Sequence, residues 1–415
     1  MILNEFGQLT VAAEHLGWEA HHEEERFGGP EEIAVAGVPI VQGCGFYLDD
    51  MDQDAVAVSR TRAFRKSGAG VVSHEGVLPF GRPIHVAQTC RYAANHVRVT
   101  FDINWPRGAT VQRHFGVGGL FLPGMWRRYY LVPPCTHLAE GVAPAWHEIP
   151  AEPPGSGMLG HWHRPPLALV FERDDGFRLE VGTGNDIWRW EYCMGFGPEA
   201  GSYKIMHEAD GLRIIREPLM SCEEVAPEKR QYRLNWYLAW QDPAQELPRL
   251  PAGPLVEVAA AAPAEIQANA GGIFRLDPSQ MRLAASCCNQ PTSEAYVRDD
   301  VAGAPCWQSN GTQKAARRII RQLKGLGQPG TLVVGPLGPA ACWVPSHIDR
   351  KHPRGLAHWD LCGLLDFAVW TRQQLGPDWT IIPDSPATAT MPSLAGLFGN
   401  TGFSKGEDMG EDMDE

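Results

Sequence analysis

Over short stretches of this 415-residue chain, side chains alternate between apolar and polar, and few patterns restrict a fold as tightly. In HVRVTFDIN, Val97, Val99, Phe101 and Ile103 fall on one side of an extended backbone and Arg98, Thr100, Asp102 and Asn104 on the other, because successive strand residues point to opposite faces. YRLNWYLAW repeats the pattern with Tyr232, Leu234, Trp236, Leu238 and Trp240 in phase. A chain built this way, punctuated by 45 glycines and 34 prolines, predicts many short antiparallel strands that each bury one face.

One hairpin can be phased from its turn alone. In FERDDGFRLEV, a two-residue Asp175-Gly176 loop would oppose Phe171 to Glu180 and mix a ring with a carboxylate on one face. A three-residue loop, Asp174-Asp175-Gly176 with a left-handed glycine, opposes Phe171 to Leu179 and Glu172 to Arg178 instead. That register sends Leu169, Phe171, Phe177, Leu179 and Val181 toward a core, and Glu172, Arg178 and Glu180 to the other face.

The text changes between Gln241 and Gly272, where alanine and proline dominate and a surface crossing between two units is expected. Beyond it, Asn310 and Gln313 are spaced as a capping box ahead of Ala316, Ile319, Ile320 and Leu323, and Gly325 follows as a stop. TLVVGPL and WTIIPD read as strands around a helix in LAHWDLCGLLDFAVWTRQQLG. The expected organisation is an N-terminal segment over 1–34, an antiparallel β-sandwich over 35–260, a mixed α/β unit over 261–400 and an acidic, solvated tail over 401–415. The fold class is therefore mainly β, α+β overall.

Charge and motifs exclude several classes. A formal net charge of -13 disfavours a phosphate backbone as partner, so no nucleic acid is expected. The ten cysteines contain no C-x-x-C pair and read as reduced thiols, with Cys287 and Cys288 as small apolar residues. The N-terminus has no secretory pattern and no apolar run is long enough to span a bilayer, so a cytoplasmic protein without membrane contact is expected. Phosphate-loop, dinucleotide-binding, G-x-S-x-G, H-E-x-x-H and kinase motifs are absent, and no cofactor is expected.

Candidate chemistry concentrates in two stretches. SHEGVLPFGRPIH supplies His74 and, beside it, Glu75, Arg82 and His85, which would serve as acid, anion clamp and proton shuttle. GHWHRPPLALVFERDDGFRLEVGTGNDIWRWE supplies His161, His163, Glu180 and Asp186, with Trp188 and Trp190 on the Asp186 strand face. A carboxylate whose pKa is raised by burial can exchange protons with an imidazole, and flat indole rings suit sugar C–H faces. Catalytic candidates are thus Glu75, His85, His161, His163, Glu180 and Asp186; Arg82, Arg113, Trp188 and Trp190 would bind substrate. His161 and His163, two apart on a strand, could instead share a metal. His347, Asp349 and His352 have ligand-like spacing, but in a chain with fifteen histidines such spacing arises by chance, and the segment reads as a loop and N-cap before a helix.

The strand text YAANHVRVTFDINWP and DDGFRLEVGTGNDIWRWE resembles, in architecture, the galactose-mutarotase-like supersandwich of sugar epimerases, glycoside hydrolases and polysaccharide lyases. The resemblance covers about residues 35–260 and carries over no active-site residue. It implies a carbohydrate or other small polar ligand on a sandwich face, with carboxylate and histidine acid–base chemistry if the protein is an enzyme. Two other readings stand beside it: a non-catalytic binding or assembly module whose tryptophan faces contact a glycan or another subunit, and a metal-dependent, cupin-like jelly roll. In any of them the edges of an antiparallel sandwich are surfaces that a homodimer could cover.

Overall fold

The computed structural model describes the chain except for residues 1, 4–7, 14–15, 24–28, 44, 51–52, 58, 67–69, 79–81, 105, 107–113, 133–144, 163–165, 167, 184–201, 218, 221–230, 244–248, 289–304, 338–340, 343–357, 360, 386–390 and 400–415, and at some strand positions describes the backbone alone. Two nine-stranded antiparallel sheets face each other. Sheet I runs in the order Ile2–Leu3, Gln8–Ala13, Trp18–Glu23, Glu32–Val35, Val38–Gln42, Leu120–Pro123, Gly211–Glu217, Ser202–Glu208 and Met158–Trp162. Sheet II runs His147–Glu148, Arg128–Val132, Ala168–Glu172, Arg178–Thr183, Gln231–Gln241, His96–Asn104, Ile84–Tyr92, Val71–Leu78 and Ser59–Lys66. Among the described residues the two sheets hold eighteen strands against the eight of a jelly roll, which corrects the cupin-like reading.

Alternation places the sandwich core as the sequence requires. Val97, Val99, Phe101, Ile103, Trp236, Leu238 and Trp240 of sheet II pack against Leu9, Val11, Ala13, Trp18 and Ile33 of sheet I. Trp18 joins the layers: its ring stacks on Tyr92 at 5.6 Å, meets Trp240 edge-on at 5.5 Å, and donates Nε1–H to the Ala94 carbonyl at 2.8 Å. Because Leu9, Val11 and Ala13 alternate into this core, the strands Ile2–Leu3, Gln8–Ala13 and Trp18–Glu23 belong to the sandwich, which corrects the expectation of a separate N-terminal segment.

The hairpin has the three-residue register. Phe171 pairs with Leu179 and Glu172 with Arg178, and Gly176 takes a φ of +84°. On the outer face Arg178 and Arg128 both grip Glu172, and Trp146 lies 4.3 Å from the Arg128 guanidinium. Burial would raise the Glu172 pKa; the hydrogen bonds from Arg178 and Arg128 outweigh it and hold the carboxyl below its ordinary value.

The second unit starts earlier than residue 261, because the short strand Leu255–Glu257 already belongs to it. It pairs in parallel with Ile273–Leu276, which pairs with Thr331–Val334, which pairs with Thr380–Pro383. Helices α1 (Pro263–Ala268), α2 (Asn310–Lys324) and α3 (Leu361–Leu375) connect successive strands, and a short α4 (Pro392–Ala395) follows. Val256, Phe274, Leu332 and Ile381 share one sheet face and pack with Ile266, Ala316, Ile320, Leu364 and Phe367 of the helices. Strands in chain order with helices on one face form a singly wound sheet, the arrangement that α/β barrels extend to closure.

The expected capping box does not form. Ser309 is the N-cap of α2, and Gln313 Nε2 donates instead to the carbonyls of Trp307 and Gly363, both at 2.8 Å. Gln313 therefore ties α2 to α3, where Gly363 packs so closely that a Cβ would lie 2.2 Å from the Trp307 oxygen.

Candidate functional site

The second unit divides the outer face of sheet II in two: one half, with Tyr130, Val132, Ala168 and Val170, is largely apolar and packs on that unit, and the other is polar. On the covered half, Glu180, Tyr237 and Ala239 are fully buried, and Tyr237 and Ala239 join the core of the second unit. The Tyr237 hydroxyl donates to Glu180 Oε1, and the Ser393 backbone N–H at the start of α4 donates to Glu180 Oε2 at 2.9 Å. Burial pushes the Glu180 pKa up, opposed by the hydrogen bonds from Tyr237 and Ser393. Asn95 fastens the same seam, with Nδ2 donating to the carbonyls of Trp240 and Pro392, each at 2.8 Å. Arg98 Nη1 reaches Asp366 Oδ2 of α3 at 2.8 Å. Glu180, a catalytic candidate in the sequence, is thus a docking carboxyl enclosed between the two units.

On the uncovered half, alternation sends Glu75, His85, Asp102 and Asn104 outward. Ala87 pairs with both Glu75 and Asp102, and His85 pairs with Asn104, so two carboxylates flank a small side chain with an imidazole two residues along. His85 is exposed and Glu75 half-buried. Arg82 is exposed in the connection just before this strand. His74 alternates the other way, into the sandwich near His22, whose Nε2 lies 2.5 Å from the Tyr92 hydroxyl. Burial, reinforced by His74, takes the His22 pKa down to about 3.

His161 sits at the edge of sheet I, paired with Lys204, and so is not on the sheet that carries Glu75, His85 and Glu180. Arg113, His163, Asp186, Trp188 and Trp190 lie outside the described residues, as do His347, Asp349 and His352. Among the described residues no group of three metal-ligating side chains assembles.

A second charged constellation lies at the C-terminal ends of the parallel strands. Register aligns Glu257 with Arg275 and Ile382, on the face opposite the helices, and Asp384 two residues beyond Ile382 shares that face. Arg275 Nη2 donates to Asp384 Oδ2 at 2.9 Å, its Nε donates to the Gly335 carbonyl at 3.3 Å, and its Nη1 lies 3.8 Å from Glu257 Oε1. Burial first, and Asp277 after it, raise the Glu257 pKa against the pull of Arg275. Glu257 Oε2 is shielded from water and has no hydrogen-bond partner among the described residues. Gly335 lets the Asp384 backbone come close: a Cβ there would stand 2.3 Å from the Asp384 carbonyl oxygen.

The chemistry of this arrangement is asymmetric. Burial biases Glu257 toward its protonated form, whereas Asp384 is paired to the Arg275 guanidinium. Held by one guanidinium, the nearest oxygens of the two carboxyls stand no more than about 9 Å apart, which does not exceed the ~9.5 Å upper end of the separations that glycoside-cleaving pairs use. Strand C-terminal ends are where parallel α/β sheets place their ligands.

No protein-family model and no curated protein matches the chain. Solved structures do. The Slr1438 protein of Synechocystis is similar over 56% of this chain and 95% of its own, at 9% identity and a TM-score of 0.39. A galactose mutarotase-like protein from Lactobacillus casei is similar over 56% of this chain and 100% of its own, at 7% identity and a TM-score of 0.35. An α-galactosidase from Lactobacillus brevis aligns with 90% of this chain and 63% of its own, at 10% identity and a TM-score of 0.36. The likeness is one of fold, and the structural neighbours are galactose-mutarotase-like and glycoside-hydrolase proteins.

The strand-end cluster was missed in the sequence because Leu255–Glu257 is only three residues long and sits in the alanine- and proline-rich text read as a connection. The signal for Asp384 was present: an acid directly after the buried run of WTIIPD, where a parallel strand ends.

Proposed function

We propose that the protein is carbohydrate-active, with the strand-end cluster of the second unit as its reaction centre and the sandwich as its rigid support. Glu257 acts as proton donor, Asp384 as the carboxyl that meets the sugar or its attacking water, and Arg275 fixes both. The observation that carries this reading is the Arg275 bridge from Asp384 toward a Glu257 whose Oε2 is shielded and unpaired among the described residues. A half-exposed acid with its proton favoured by burial, beside a second carboxyl paired to a guanidinium, suits the acid–base division that glycosyl chemistry needs.

The outward strip of Glu75, His85, Asp102 and Asn104 supports a second use, sugar binding without bond cleavage, because carboxylates, an imidazole and an amide on one strand face can all hydrogen-bond hydroxyls. Arg82 beside it would add a contact to an acidic sugar. Both readings are tested together with a panel of nitrophenyl glycosides and free monosaccharides, measured for release of nitrophenol and, by calorimetry, for binding. Loss of turnover in Asp384→Asn and Glu257→Gln with binding retained supports the catalytic reading. Turnover unchanged in both variants overturns it, and sugar binding abolished by His85→Ala alone transfers the function to the sandwich strip.

A further inference from the structure

Helix α2, NGTQKAARRIIRQLK, carries Lys314, Arg317, Arg318, Arg321 and Lys324 and no acidic residue, in a chain whose net charge is -13. Their spacing of three and four places them along the solvent side, opposite buried Thr312, Ala316, Ile320 and Leu323. Lys314, Arg318, Arg321 and Lys324 are exposed. The stripe follows α3: the Arg317 and Arg321 guanidiniums lie 5.1 and 5.7 Å from the Trp370 ring, and Lys324 Nζ donates to Gln374 Oε1 at 3.0 Å. Like charges at successive turns repel one another, so an acidic segment laid along the stripe lowers that repulsion.

We infer that residues 404–415 of this same chain lie along the basic stripe of α2 as an electrostatic strap. The segment SKGEDMGEDMDE holds six acidic side chains against one lysine, opposite in sign to the stripe and comparable in number to its five cations. Its attachment point is close at hand. The Phe398 carbonyl accepts from Arg372 Nε of α3 at 2.7 Å, and Arg372 stands between Trp370 and Gln374, the two α3 residues that touch the stripe. From Gly399, the last described residue, the eight residues to Glu407 span up to ~27 Å, more than a helix diameter of ~10–12 Å. Tethering makes the encounter intramolecular, at an effective concentration on the order of millimolar, where an untethered acidic peptide would be lost to screening at cellular salt.

The test uses the full chain, an equimolar mixture of unlabelled and nitrogen-15-labelled protein, and a zero-length carbodiimide that joins lysine amines to carboxyls already in contact. Mass spectrometry then maps the pairs at 50 mM and 500 mM NaCl. The expected result is bonds from Lys314 and Lys324 to Glu407–Glu415 within single chains, at least about five times more abundant than bonds from Lys204 on sheet I, and reduced at least about fivefold at high salt. The same loss is expected in Arg318→Glu/Arg321→Glu and, with α2 unchanged, in Glu407→Gln/Asp408→Asn/Glu411→Gln/Asp412→Asn. Tail bonds spread evenly over Lys204 and the α2 lysines overturn the inference. Bonds dominated by mixed-isotope pairs overturn it too, since the stripe would then hold a second copy.

Discussion

The Ser393 backbone N–H donates to Glu180 Oε2 at 2.9 Å across 213 residues of sequence, and this bond joins the polar face of the sandwich to the second unit. Its partner oxygen takes the Tyr237 hydroxyl, so one carboxyl satisfies a buried donor from each side. Glu180→Ala leaves both donors without an acceptor in a site closed to water, a loss of roughly 2–4 kcal/mol in urea unfolding. Glu180→Gln keeps an acceptor oxygen and costs about half as much. Glycoside turnover per folded molecule stays unchanged in Glu180→Gln; a drop of a hundredfold without unfolding would return Glu180 to the reaction.

The seam is close-packed as well as hydrogen-bonded. A Cβ on Gly396 would fall 2.0 Å from the Asn95 side chain, and one on Gly182 would fall 1.9 Å from the Tyr237 ring. Gly396→Ala therefore displaces Asn95 from the Trp240 and Pro392 carbonyls, with an expected cost of roughly 1–3 kcal/mol. Limited proteolysis should detect faster cleavage between the units in this variant, and unchanged cleavage would mean that the units dock by other contacts.

Acid sensitivity follows from two buried imidazoles. Burial, with His74 for one and Arg98 for the other, lowers His22 to about 3 and His96 to about 4, against an unfolded value near 6.5. The unfolded chain binds protons that the folded chain refuses, so stability is complete above pH 6.5 and falls as pH drops below it. At pH 5 each histidine withdraws roughly 2 kcal/mol. Urea midpoints at pH 7.5 and 5.0 check this, and the difference should shrink in His96→Asn; equal midpoints in the wild type would show that the imidazoles charge freely in the fold.

The strand-end residues should separate function from stability. The Arg275–Asp384 pair is partly exposed, so Asp384→Asn is expected to shift stability by no more than about 1 kcal/mol. Turnover of a cleaved glycoside should fall at least a hundredfold. In Glu257→Gln the basic limb of the pH–rate profile, set by loss of the Glu257 proton, should disappear. A profile with that limb intact would assign the acid elsewhere.

Local signals were legible and coverage was not. The turn Asp174-Asp175-Gly176 fixed a register that the pairing of Phe171 with Leu179 reproduces, because a left-handed glycine and matched faces leave one solution. Parity also told which way Glu180 points, yet parity is silent on what lies beyond a face, and Pro392–Ala395 covers it from a distance in sequence that no periodicity reports. The N-terminal strands escaped because their alternation in QLTVAA is brief. Gln313 escaped as a cap because its amide serves two carbonyls on other elements.

Co-crystallisation with a monosaccharide at tens of millimolar is the most direct measurement of where the ligand sits. The sugar is predicted within hydrogen-bond reach of Arg275 and Asp384, with Glu257 facing its anomeric oxygen. A sugar seated against Glu75 and His85, or none bound at the strand ends at that concentration, would contradict the assignment.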